Sequence, residues 1–365
     1  MKGLQVIYGD RPREMVKKLL YEIELEKKLS KDSIIGLKPN LVLAKPASSG
    51  ATTSPEIAAG IIEYFQERGF INIRIMEGSW VGDSTKRAYK VCGYENIAQR
   101  YNVPLLDLKN DLGVNEQFLG ENYKICETVK QVDYLINLPV LKGHCQTKMT
   151  CALKNLKGCI PDSEKRRFHS LGLHKPIAYL NGIIKAKLHI VDGIMGDLTF
   201  EEGGNPVEMG RIIAGTDPVL VDSYVAELMG YEINEIKHVQ IAHEIGLGQL
   251  YSDDTPIKEI DRKNMPSVTI KPGHKVKHLS KWINENQACS PCYGSLIHAL
   301  DKLDDMGLLG SYKGKISIGR GYKESAIDGI GVGICTSKSR YNIAGCPPRA
   351  KDLVQVLQKV IKNKK

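Results

Sequence analysis

Between Leu138 and Pro161 the chain reads LPVLKGHCQTKMTCALKNLKGCIP, which packs Lys142, His144, Thr147, Lys148, Thr150, Lys154, Asn155 and Lys157 into one short span. The spacing is neither that of an amphipathic helix nor that of a plain turn. Ammonium groups, hydroxyls and an imidazole set this close together can hold an anion and move a proton beside it, because histidine titrates near neutrality. The competing reading is a solvated basic loop with incidental hydroxyls. A second set of reactive side chains lies near the carboxyl end: Cys289 and Cys292 in ACSPC, Cys335 in GVGICT and Cys346 in GCPPRA. Two cysteines separated by two residues put both sulfurs on one side of a turn, where they can hold a metal atom or one edge of a cluster. Three readings compete for the set: one [4Fe-4S] cluster, a structural zinc, or unliganded thiols. A zinc ribbon would pair its cysteines closely twice, and here only the first pair is close. Cys92, Cys126, Cys145, Cys151 and Cys159 read as core thiols, although the last three sit in the basic stretch and leave a second cluster or a reactive thiol open.

The elements that must position the basic stretch are strand-like apolar runs. Tyr134 to Asn137 precedes it directly, so its residues leave a strand's carboxyl end, where open α/β sheets bind ligands. Ile34 to Leu37 ends in Lys38, Pro39 and Asn40; Ser54, Pro55 and Glu56 start a helix that Gly69 stops; Ile71 to Met76 follows, making a βαβ unit over residues 34–76. Its second strand empties into EGSWVGDSTKRAYK, which adds Glu77 and Ser79 on the same side as Lys38 and Asn40. Further strands are expected at Gln5 to Tyr8, Pro104 to Leu108, Leu188 to Val191 and Arg211 to Ala214, and helices at Pro12 to Leu29, Tyr94 to Tyr101, Pro176 to Lys185, Asp217 to Met229 and Ile233 to Ile245. Asp192 ends one of these strands before glycines, a place for a metal or hydroxyl ligand and equally for a turn former. The pattern predicts an α/β fold with a mostly parallel sheet and flanking helices over residues 1–248, a connecting segment over 249–285 whose one strand-like run is Ser267 to Ile270, and a smaller α/β cysteine-bearing module over 286–365 closed by a helix from Ala350 to Ile361. GRGY at Gly319 and GIGVG at Gly329 read as turns, and no GxGxxG in strand-helix context or P-loop is present.

Composition narrows the classes. At 365 residues, 42% hydrophobic and 25% charged, the chain reads as an ordinary globular protein, with no apolar run able to span a bilayer. The start, MKGLQVIYGD, lacks the apolar core of a secretory signal, so a cytoplasmic protein is expected, and its nine cysteines are then no disulfide framework. The formal charge of +9 fits a small anionic ligand or an acidic partner. Nucleic acid ranks last for want of an aromatic-rich or helix-turn-helix signature, and no membrane partner is expected.

Several of these stretches together carry a resemblance. IGLKPNLV, the strand ending in MEGS, NLPVLKGHCQTKMTCALKNLKGCIP with a later His169, VDGIMGD, and IIAGTDPVLVD with a closing MG resemble the DUF362 family over residues 1–245. GCPPRAKDLVQVL resembles the cysteine-proline-proline turn and helix of hydrogenase small subunits and the related complex I subunit. The resemblance implies a cytoplasmic, mostly prokaryotic iron-sulfur protein of α/β type and names no reaction. The residues themselves suggest a redox or cofactor-handling role. In it Lys38, Lys142 and Lys154 hold an anion with Asn40, Ser79, Thr147, Thr150 and Asn155, His144 or His169 moves a proton or binds a metal, and Asp192 and Asp222 orient a hydroxyl or metal. The alternatives are a non-catalytic electron carrier or assembly factor docking an acidic redox partner through the basic stretch, and a zinc-stabilised binding protein.

Overall fold

The computed structural model describes residues 2–266 and 275–362, so the run Ser267 to Ile270 lies outside the described residues. Strands buried on both faces need continuous apolar runs, and the runs read above become strands of this kind. The chain begins β1 (Leu4–Tyr8), α1 (Pro12–Ile23), β2 (Ile35–Pro39), α2 (Pro55–Gln66), β3 (Ile73–Glu77), α3 (Thr85–Val91), α4 (Tyr94–Tyr101) and β4 (Leu105–Asp107). A hairpin of β5 (Gly113–Phe118) and β6 (Glu121–Cys126) and the short α5 (Glu127–Lys130) lead into β7 (Tyr134–Leu138). The basic stretch forms a second hairpin, β8 (Lys142–His144) with β9 (Lys148–Thr150), and then α6 (Ala152–Asn155). After it come α7 (Asp162–Leu171), α8 (His174–Ile183), β10 (Leu188–Asp197), β11 (Pro206–Gly215), α9 (Pro218–Leu228), α10 (Lys237–Glu244) and β12 (Ile257–Ile260).

Eight of these strands form one sheet in the order β12-β1-β11-β10-β7-β2-β3-β4. Among the described residues only β11 runs antiparallel to its neighbours. Alternate residues feed two cores. Val6, Leu135, Val191 and Ile213 join one with residues of α8, α9 and α10, while Ile7, Ile136, Ile190 and Ile212 join the other with residues of α1 and α2. The connections β2 to β3 to β4 step one way across the sheet, and β7 to β10 steps the other. The order therefore reverses between β2 and β7, where Lys38 lies opposite Asn137. A crevice outside the strands' carboxyl ends at such a reversal is the standard ligand position of open α/β sheets.

Local readings differ in several places, among them the helix expected over Ile233 to Ile245, which is a 3-10 turn, Ile233–Glu235, followed by α10. The first helix ends at Ile23, because Glu24 takes a left-handed conformation (φ 50°), and a 3-10 turn, Leu25–Lys28, completes the run. The Ser54 hydroxyl does not cap α2; instead the Ser54 amide donates to Asp192 at 2.7 Å. β10 continues past Asp192 to Asp197, since antiparallel pairing with β11 extends it. The segment 249–285, expected as a connector, supplies β12 to the edge of the main sheet beside β1 and the first strand of a second sheet.

The described residues divide into two compact units: one holds the chain before His169 and resumes at Leu173, the other takes His169–Gly172 and the described residues from Lys275 on. The second unit contains α11 (Lys275–Leu279), β13 (Ile283–Glu285), α12 (Ser290–Asp305), β14 (Ile316–Ile318), β15 (Ile327–Val332), β16 (Ser339–Ile343) and α13 (Ala350–Lys362). Its sheet, β13-β14-β15-β16, is parallel throughout, α12 packs on α13, and Leu296, Leu300, Leu353 and Leu357 of these helices are buried. Most of GIGVG lies within β15 and is not a turn.

Candidate functional site

Lys38, near the end of β2, and Glu77, the last residue of β3, are both buried and pair at 2.9 Å. Removing two charges from water costs several kcal/mol per ion, recovered only when the remaining donors and acceptors are also bonded. Here they are. Lys38 Nζ donates to the Pro39 carbonyl at 2.7 Å, and Glu77 accepts the Leu41 and Gly78 amides at 2.8 and 2.7 Å. Gly158 passes directly over the pair: a Cβ there would lie 2.1 Å from Glu77 Oε1 and 2.6 Å from Lys38 Nζ. β7 joins through amides. Asn155 donates to Asn137 Oδ1 at 2.7 Å and to the Lys38 carbonyl at 3.3 Å, while Asn137 Nδ2 donates to the Ala152 carbonyl at 2.8 Å. These bonds tie β2, β7 and α6 into one rigid floor.

Lys142, His144 and Lys154 stand on this floor and converge on Glu201, in the loop after β10. Lys142 is fully buried and donates to Asn40 Oδ1 (3.2 Å), the Ala51 carbonyl (2.5 Å) and the Glu201 carbonyl (3.0 Å). Burial lowers its pKa to about 8 against the opposing charge of Glu201. His144 Nδ1 accepts the amides of Gln146 and Thr147, each at 3.0 Å, so the ring proton sits on Nε2 and points at Glu201 Oε2, 3.0 Å away. Burial, then Lys154, lowers the His144 pKa, and Glu201 opposes them. Lys154 pairs with Glu201 Oε1 and donates to Thr150 Oγ1 at 3.2 Å. Burial by itself would raise Glu201, but Lys154 and His144 hold it well below the usual carboxylate range. A neutral imidazole, an ionised carboxylate and two ammonium groups therefore share one desolvated spot, and the set can bind an anion and pass a proton along His144 and Glu201.

Two further groups border it. Lys165 donates to the Gly78 and Ser79 carbonyls at 3.1 and 2.9 Å and to Asp162 at 3.1 Å. His174 and His238 stack with ring centroids 6.0 Å apart; among the described residues both nitrogens of His238 and Nδ1 of His174 lack a hydrogen-bond partner. Burial lowers the pKa of both rings, and His174 and then Lys154 lower that of His238 further.

Of the residues expected to bind or react, the fold gathers Lys38, Asn40, Lys142, His144, Thr150, Lys154 and Asn155 into this network. Thr147 serves the hairpin turn, donating to the Met149 carbonyl at 3.0 Å. Ser79 is spent within its loop, 3.2 Å from Thr85 Oγ1. Asp192 and Asp222 hold backbone: Asp192 accepts the Ser54 and Ile194 amides at 2.7 and 3.0 Å, and Asp222 accepts those of Ala152 and Leu153 at 2.6 and 3.1 Å. Burial raises the first to about 6 and the second to about 7. His169 is half-buried on α7 and groups with the second unit. The sequence reading missed Glu201, Lys165, His174 and His238. For Glu201 a signal existed, because a buried surplus of lysine demands carboxylates and the acidic loop DLTFEEGG follows β10.

The four late cysteines follow from the second sheet. All its strands are parallel, so the segments after them leave one edge: Cys289 directly precedes α12 after β13, Cys292 lies in the first turn of that helix, Cys335 sits in a 3-10 turn after β15, and Cys346 follows β16 before α13. The Cys292 thiol is pushed up to about 12, first by burial and then by Cys289, Cys346 and Cys335; Cys289 rises too, first by burial and then by Cys335. Among the described residues no group of three or more His, Cys, Asp or Glu side chains is set to hold a metal ion. Burial raises Cys145, Cys151 and Cys159, the behaviour of core thiols. No helix among the described residues is long and apolar enough to cross a membrane.

Comparison with known proteins gives one family and partial likenesses. A thylakoid-associated protein of Synechocystis sp. is 26% identical over 222 residues, which are 58% of this chain and 67% of that one. Among solved structures, the lactate racemase apoprotein of Thermoanaerobacterium thermosaccharolyticum superposes with a TM-score of 0.40 at 11% identity, over 66% of this chain and 57% of its own. A Thermotoga maritima protein superposes with a TM-score of 0.40 at 14% identity, over 65% of this chain and 60% of its own. The chain thus spans less than two thirds of either solved protein. The model of the domain of unknown function DUF362 matches residues 35–227, more than half of the chain, and the protein belongs to the DUF362 family.

Proposed function

We propose that this protein is a cytoplasmic iron-sulfur protein with a redox or cofactor-handling role: its second unit carries one [4Fe-4S] cluster on Cys289, Cys292, Cys335 and Cys346, and its first unit binds a small anionic ligand at the carboxyl ends of β2 and β7. The observation that carries the reading is the placement of four thiols on one edge of a parallel sheet, near enough to act on one another's charge. A four-iron cube takes cysteines at separate corners, so its ligands need not converge on a point as those of a single zinc ion must. Arg320 favours the Cys289 thiolate and suits an anionic cluster. The likeness of GCPPRA to the cysteine-proline-proline turn of hydrogenase small subunits points the same way. A bound cluster would supply one-electron chemistry.

For the first unit, the burial of Lys142, His144 and Lys154 favours an enclosed anion site over a contact surface for an acidic partner, since side chains 0 to 5% exposed cannot reach a protein surface. The test is anaerobic purification with a visible spectrum and assays for iron, zinc and acid-labile sulfide, together with titration by inorganic phosphate. Brown protein with about four irons and four sulfides, lost in Cys292→Ala, and phosphate binding weakened in Lys142→Ala are the expected results. Colourless protein holding zinc or no metal after strict exclusion of oxygen would overturn the cluster, and phosphate binding unchanged in Lys142→Ala would overturn the anion site.

A further inference from the structure

We propose that Lys157 is the nucleophilic amine of the strand-end site and forms an imine with a small anionic aldehyde or ketone, an inference that rests on the anion-site reading above and names its ligand class. Lys157 is half-buried on the 3-10 turn Leu156–Cys159 that follows α6. It differs from its neighbours in one respect. Lys38 has Glu77, Lys154 has Glu201, Lys165 has Asp162, and Lys142 has three oxygens, whereas Lys157 has no hydrogen-bond or ion-pair partner among the described residues.

The groups acting on Lys157 are Lys154 from α6, Lys165 from α7 and Glu201 from the loop after β10; the next residue, Gly158, lies over the Lys38 and Glu77 pair. Burial and then Lys154 bring its pKa down to about 7, with Glu201 opposing. Desolvation and an adjacent cation are the two means by which proteins keep a lysine amine unprotonated for attack on a carbonyl. Lysines and carboxylates gather here in equal number. Lys38, Lys142, Lys154, Lys157 and Lys165 face the directly paired Glu77, Glu201 and Asp162, with Asp197 and Glu202 acting on Lys142 at longer range. The anionic group on the carbonyl compound is the one that the anion site proposed above would hold, through Lys142 and Lys154.

The step balances without an oxidant. The Nζ lone pair attacks the carbonyl carbon, the new carbon-nitrogen bond forms, and the carbonyl oxygen takes up the displaced electron pair. That oxygen leaves as water, its two hydrogens supplied in net by the amine, and a carbon-nitrogen double bond remains. The Lys154 ammonium group can lend a proton to the departing oxygen and recover one from the nitrogen.

Pyridoxal 5′-phosphate followed by borohydride reduction and peptide mapping of the full chain tests this, because the probe carries both an aldehyde and an anion. One dominant adduct on Lys157 is expected at neutral pH, half-maximal near pH 7, where such an amine is roughly a thousandfold more deprotonated than an ordinary lysine. Inorganic phosphate should protect it, and Lys157→Arg should abolish it while leaving circular dichroism unchanged. Adducts spread over exposed lysines and rising only towards pH 10 in the wild type would overturn the amine, whatever the fate of the variant. Phosphate binding in Lys157→Arg reports separately on the anion site. Labelling of Lys157 by neutral propionaldehyde as readily as by pyridoxal phosphate, without phosphate protection, would overturn the anionic ligand while leaving the amine.

Discussion

Glu77→Ala would strand the Lys38 ammonium in a fully desolvated position and leave the Leu41 and Gly78 amides without their acceptor. Removing one member of a buried, hydrogen-bonded ion pair costs about 3–5 kcal/mol, because the surviving charge loses its partner without regaining water. With a urea dependence of about 3 kcal/mol per molar for a unit of this size, the unfolding midpoint should fall by about 1–2 M. The assay is made specific by the two tryptophans, Trp80 and Trp282, which lie in different units. In a Trp282→Phe background the fluorescence of Trp80, three residues after Glu77, follows the first unit alone, and coincidence with far-ultraviolet circular dichroism checks that the transition is cooperative. A loss below about 1 kcal/mol would refute the claim that this pair is desolvated and mutually dependent. The double variant Lys38→Met/Glu77→Leu should recover most of the loss, since apolar side chains of similar volume often replace a buried pair at little cost. If it is as unstable as Glu77→Ala, the penalty lies in the two orphaned amides and not in the stranded charge.

Gly158→Ala forces a methyl group to within 2.1 Å of Glu77 Oε1, so the 3-10 turn must lift off the Lys38 and Glu77 pair. A destabilisation of about 1–3 kcal/mol, read from the same urea titration, is expected, and no change would show that the turn yields freely. His189 accepts from Asn137 Nδ2 on its Nδ1, and burial lowers its pKa from 6.5 to about 3. The unfolded chain therefore takes up a proton that the native ring refuses: the stability His189 contributes is complete above about pH 6.5 and is lost as the pH falls towards 3. In His189→Leu the acid limb of stability against pH should flatten by up to about 1.4 kcal/mol per pH unit in that window, and an unchanged slope would mean that the native ring can be protonated.

Local chemistry made much of this molecule legible. Parallel strands covered on both faces must be apolar throughout, so β2, β3 and β7 stand out as short runs bounded by Pro39, Glu77 and Asn137, and the polar residues just beyond them mark the strand ends. Asp217 before Pro218 announced the start of α9, and its carboxylate does accept the Val219 and Leu220 amides at 2.8 and 3.0 Å. The basic stretch and the four late cysteines were visible as clusters of reactive types. Their surroundings were not. Glu201 meets Lys154 across 47 residues of chain, Asp222 serves the Ala152 amide across 70, and β12 returns to form the sheet edge beside β1 from the amino terminus. Which carboxylate ends as an ion-pair partner and which as a backbone acceptor, and which lysine is left with neither, depends on the order in which strands lie side by side. The sequence by itself thus determined the elements and the kinds of side chain at their ends, because those follow from short-range burial and capping. Only the tertiary structure decided charge pairing and proton position, because desolvation and Coulomb energy depend on distances set by the packing of the whole sheet.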